Sequence, residues 1–175
     1  MSLAACTGTG PTSGPAPSPH VVSAASAVSS TGPGPREREA LSSTVVRTQL
    51  RALQHGRVRA FHATWAAQSA ARRQGDDIAS NLRAMRASVT SLRLRPATVA
   101  DPANGPRRAH FGADAWDLAV DVGWRTPQMG ARDVVSSLVY TFVSDGGGAR
   151  VAAVRASAGS RRPIWLDGRL QVARG

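Results

Sequence analysis

Trp116-Asp117-Leu118-Ala119-Val120-Asp121-Val122-Gly123-Trp124 sets large apolar residues at even positions against Asp, Ala and Gly at odd ones. A period of two is the pattern of a β-strand with one face buried and the other turned to water. The stretch therefore predicts a half-buried strand, with Trp116, Leu118, Val120, Val122 and Trp124 on the core face. Asp117 and Asp121 fall on the other face. Ionised carboxylates are almost never buried unpaired, so both are expected to be exposed or paired with nearby Arg.

Downstream, Val134 to Val143 reads as a second strand, long and apolar on both faces. Asp145-Gly146-Gly147-Gly148 is a hairpin turn leading into a third strand, Ala149 to Ala156. A last strand is expected after Pro163, through Trp165, Leu166, Leu170 and Val172. Upstream, Val89 to Arg95 is a short strand candidate. Pro96, Pro102 and Pro106 then exclude helix across a loop that also holds His110.

Before residue 89 the period is helical. Val46, Leu50 and Leu53 lie at i, i+4 and i+7 in a helix that starts at Arg36 and stops at Gly56. Val58, Phe61 and Trp65 repeat the spacing in a second short helix. Asp76-Asp77 after Gly75 supplies a cap for a third, marked by Ile78, Leu82, Met85 and Val89. Helices first and an antiparallel meander after predict an α+β fold, with N-terminal helices packed on one face of a curved antiparallel sheet.

The chain has 175 residues, and its net charge of +11 comes from 22 basic and 11 acidic side chains. Every basic residue is Arg. An Ala- and Gly-rich chain without Lys is what a GC-rich genome encodes, so part of this charge is codon bias and says nothing about a partner. Residues 1–35 carry no charge and six of the eleven prolines, a composition that cannot bury enough apolar surface to order itself. The expected organisation is a disordered Pro/Ser/Thr/Gly linker over 1–35 and one α+β domain over 36–175. A domain of that size buries roughly two thirds of its chain surface, enough for a core without disulfides.

The single cysteine, Cys6, ends Leu3-Ala4-Ala5-Cys6 just before the linker. This resembles a bacterial lipobox, where a signal peptide is removed and the cysteine is lipidated. Met1-Ser2 is too short to supply the basic and apolar regions that precede such a box, so they are expected upstream of Met1. Acylation of Cys6 would tether the chain at a membrane face, and the uncharged tail would hold the domain clear of it.

The order of elements resembles the nuclear transport factor 2-like (cystatin-like, SnoaL-like) superfamily, and more closely an extracytoplasmic domain of actinobacterial lipoproteins. The resemblance is carried by Leu53-Gln54-His55-Gly56-Arg57 with Phe61 and Trp65, and by Asn81-Leu82. It continues through Leu138-Val139-Tyr140-Thr141-Phe142-Val143 and Pro163-Ile164-Trp165-Leu166, and spans residues 40–173. It implies a cone-like fold. Relatives of this kind often carry a metallopeptidase-like domain, but this chain has no His-Glu-x-x-His, so protease activity is not carried over.

Motifs with chemistry are few. His55 and His62 are seven apart, but Gly56 between them interrupts a shared helix face, and no metal or cofactor is expected. Cone-shaped folds host acid-base enzymes built on a carboxylate and a Tyr, for which Asp117, Asp121 and Tyr140 are the available groups. Trp65, Trp116, Trp124, Tyr140 and Trp165 form a candidate pocket at the mouth of the cone, or plain core. Residues 36–110 hold 14 Arg and 5 acids against 8 and 6 in residues 111–175, so the helical half is the basic half. A basic helical face suits an anionic envelope polymer or lipid headgroups, whereas nucleic acid usually requires stacking aromatics or a recognition helix besides.

The expected function is therefore a lipid-anchored, extracytoplasmic binding or scaffolding domain at the cell membrane, without catalysis. Its partners would be the membrane through Cys6 and an anionic polymer or a small apolar ligand. An acid-base enzyme of the isomerase or hydratase kind is the alternative, and a basic nucleic-acid binder the third.

Overall fold

The computed structural model describes residues 32–95, 104–112 and 114–171. Cys6, the predicted linker up to residue 31, and Pro96, Pro102 and Val172 lie outside the described residues. The fold is α+β: four antiparallel strands in the order β1 (Ser88–Leu94), β2 (Trp116–Arg125), β3 (Val134–Asp145) and β4 (Gly148–Ala156), with helices packed on the sheet. The alternation of β2 decides its register. Trp116, Val120 and Trp124 stand opposite Phe142, Leu138 and Val134 of β3, and the core face so formed is closed to water at Val120, Leu138, Phe142 and Val151. Gly146 and Gly147 between β3 and β4 have φ of 54° and 86°, the left-handed pair that a two-residue hairpin turn needs. One edge of the sheet is also covered. Residues 64–66 run beside β4, where the Ala66 N–H donates to the Val151 carbonyl and the Val151 N–H to the Thr64 carbonyl, both at 2.9 Å.

Helix α1 (Pro35–Gln54) matches the expected span, but its most buried stripe is Ser42, Val45, Val46, Gln49 and Ala52, with Leu50 and Leu53 packed half-buried beside it. Two polar residues enter the core because each finds a partner there. The Trp116 indole N–H donates to Ser42 Oγ at 2.9 Å, and Gln49 Nε2 donates to Thr64 Oγ1 at 2.9 Å. Gly56, at φ 63°, ends this turn of chain as expected.

Several expectations are corrected. Helix α2 (Val58–His62) stops before Trp65, which lies instead on the extended segment against Val151. Helix α3 (Ser69–Ala84) begins seven residues before Asp76 and runs through Gly75. Gly75 packs on the Trp65 ring, where a Cβ would come within 2.9 Å of ring carbons, so the glycine serves close approach and does not break the helix. The helix ends before Val89, which belongs to β1; the chain turns at Arg86, which takes the left-handed φ of 51° usually given to glycine.

Among the prolines, Pro106 lies in the first turn of helix α4 (Asn104–Phe111), where backbone N–H groups have no intrahelical acceptor, so proline does not exclude helix there and His110 is helical. The predicted last strand is a single 3-10 turn at Ile164–Leu166 followed by irregular chain. Asn81 holds this segment. Its Nδ2 lies 2.9–3.1 Å from the carbonyls of Trp165, Asp167 and Gly168, and its Oδ1 accepts from the Leu170 N–H at 2.8 Å, so backbone groups that a strand would use are taken by one side chain.

Candidate functional site

The five aromatic side chains of the candidate pocket are all buried in one core. Trp116 stacks on Phe142 with centroids 5.9 Å apart, and Trp124 meets Trp165 edge-on at 6.2 Å. Burial pushes the Tyr140 phenol above its ordinary pKa, which disfavours its phenolate.

The two carboxylates of β2 do not share Tyr140's side of the sheet. Asp117 stands opposite Thr141, accepts from its Oγ1 at 2.6 Å and lies 3.4 Å from both Arg107 and Arg155. Its side chain is 3% exposed, so the expected solvent face is here a closed ionic cluster, consistent with the rule that a buried carboxylate is paired. Asp121 is more open. It accepts from Arg95 at 2.8–3.0 Å and from Ser137 Oγ at 2.7 Å. The Arg95 hydrogen bonds hold its carboxyl below the usual range, aided by Ser137 and partly opposed by burial.

A well-formed concavity lies elsewhere, between helices α2 and α3 and the β3–β4 hairpin, with a volume of about 550 Å³. Trp65 is the one member of the aromatic set that also reaches its wall. Three arginines surround it: Arg59 on α2, Arg72 on α3 and Arg150 on β4. Arg150 is fixed from two sides, donating to Asp145 Oδ2 at 2.8 Å and to the carbonyl of Ala63 just beyond α2. Arg59 and Arg72 form no ion pair among the described residues. Across the same cleft His62 Nε2 faces Asp76 Oδ1 at 3.2 Å, joining α2 to α3.

In the sequence His62 stands out as half of a histidine pair and Asp76 as a helix cap, whereas no local motif distinguishes Arg59, Arg72 and Arg150. The available signal was helical spacing: Arg59 and His62 are three apart, and Arg72 and Asp76 four apart, which places each pair on one helix face. A guanidinium fork binds carboxylate, phosphate or sulfate groups bidentately, so the arrangement can hold an anion. A second, smaller groove of about 220 Å³ is apolar, lined by Leu53, Phe61, Leu82 and Val89 among others. Among the described residues no group of three or more metal-ligating side chains gathers, and no helix is long and apolar enough to cross a membrane. Comparison with protein-family models, with curated proteins and with solved structures gave no match.

Proposed function

We propose that the chain is a binding or scaffolding domain, tethered to the extracytoplasmic face of a membrane through a lipidated Cys6, that holds an anionic envelope polymer without chemically altering it. The observation that carries this reading is the convergence of Arg59, Arg72 and Arg150 on one concavity. Asp145 and Asp76 share the recess with the three arginines and leave it net positive, and a concave wall focuses that excess field on an entering anion more than the same charge spread over a surface would. The accompanying fold reading is the cone-like, nuclear transport factor 2-like arrangement, supported by helices stacked on an antiparallel meander.

Dextran sulfate is a suitable polyanionic probe. Calorimetric titration should give binding that weakens with salt, and the double variant Arg59→Ala/Arg72→Ala should lose about tenfold in affinity, the equivalent of about 1.4 kcal/mol. The charge-matched Arg161→Ala/Arg169→Ala, outside the cleft, should lose far less. Equal losses in the two variants would mean diffuse surface charge and would overturn the cleft as the site.

Anchoring is tested separately. Expressed in a bacterial host behind a basic n-region and an apolar h-region, the protein should fractionate with membranes, and Cys6→Ala should move it to the soluble fraction. Unchanged fractionation of that variant would remove the lipoprotein part of the reading and leave the cleft untouched.

A further inference from the structure

We infer that the cleft takes up its anionic ligand together with a proton, which comes from solvent and settles on His62 opposite Asp76. This rests on the reading of the cleft as an anion site and concerns how that site is regulated. Two charge relations inside the cleft carry it. Arg150 is already matched by Asp145 at 2.8 Å, which leaves Asp76 as the acid facing the imidazole. With His62 neutral, the Asp76 carboxylate stands uncompensated in the space that an anion must enter, and it repels that anion. With His62 protonated, Asp76 is neutralised at a distance of 3.2 Å and only attractive charge remains.

The surroundings of His62 fit this role. Its Nε2 is shut off from bulk water and, although close to Asp76, makes no well-aligned hydrogen bond. The side chain as a whole is 40% exposed, so the imidazole lies within reach of solvent. The charged groups around the cleft are Arg59 from α2, Arg72 and Asp76 from α3, and Asp145 and Arg150 from the hairpin, while the Phe61 ring lies 6.0 Å from the imidazole. Of these side chains only an imidazole ordinarily changes charge between about pH 5 and 8. By linkage, a ligand bound more tightly to the protonated form must in turn raise the proton affinity of His62.

The experiment is the dextran sulfate titration repeated at pH 5.5 and pH 8.0 at constant ionic strength, because the probe's sulfate esters keep their charge across that range. Binding should be about fivefold tighter at pH 5.5, at the lower end of ordinary coupling between two sites. His62→Gln should flatten the slope, while His55→Asn, which alters a histidine outside the cleft, should keep it. Asp76→Asn should tighten binding at pH 8.0 by removing the repulsion, a gain that a purely structural role for the pair would not produce. A wild-type slope retained in His62→Gln, or no gain in Asp76→Asn, overturns the inference and leaves the anion site standing. Failure of the probe to respond to Arg59→Ala/Arg72→Ala at either pH overturns both.

Discussion

Trp116→Ala should cost about 3 to 5 kcal/mol of folding stability, the range for removing a large aromatic from a packed core. Trp116 is 4% exposed, stacks on Phe142, donates to Ser42 Oγ and lies beneath the Arg38 guanidinium, 5.7 Å from its ring. The substitution therefore opens a cavity between α1 and the sheet and also strips the buried Ser42 hydroxyl of its donor. Trp116→Phe separates the two effects, since it keeps most of the packing and loses only the hydrogen bond, at about 1 kcal/mol. Urea denaturation of both variants checks this. A loss below about 1 kcal/mol for the alanine variant would show that α1 does not depend on this side chain for its seat.

Asn81→Leu should cost about 3 kcal/mol, because it leaves the carbonyls of Trp165, Asp167 and Gly168 and the N–H of Leu170 to find new partners. The loss should be local in character. The Leu170 amide should exchange with solvent far faster, and Trp165, buried to 2%, should become accessible to a fluorescence quencher. Asn81→Asp gives a sharper test through pH. A carboxylate there would face three carbonyl oxygens, so its folded-state pKa would rise above the unfolded value near 3.9. Stability would then be best retained below that unfolded value and would fall as pH rises through the folded pKa. Equal stability of Asn81→Asp at pH 4 and pH 7 would contradict the assigned hydrogen bonds.

The strands were legible because their signals are local. The alternation from Trp116 to Trp124 and the glycine pair 146–147 depend only on near neighbours, and both elements formed where the residues predict them. The ends of α2 and α3 were not, because a glycine does not announce its purpose. Gly75 looks like a breaker in sequence, yet it lies inside α3, and what its missing Cβ provides is room for the Trp65 ring. Conversely, the turn after α3 falls on Arg86, which carries no turn signature. The missing last strand has a similar origin, since its competitor is a side chain 84 residues away. The cleft was hidden for a different reason. Its three arginines are chemically identical to the others in the chain, and only the approach of α2, α3 and the hairpin distinguishes them.

Residues 64–66 have a consequence for how copies of this molecule can associate. A sheet with two free margins can recruit further sheets on both sides and grow without limit, which is how edge-to-edge aggregates run on. Here the outer margin of β4 is bridged at Val151 by the chain's own Thr64–Ala66 segment and at Val154 by the Gln74 side chain, while β1 is the other terminal strand. Pairing of two copies through their β1 edges would use the same surface on both partners, a contact that by itself closes as a two-fold dimer.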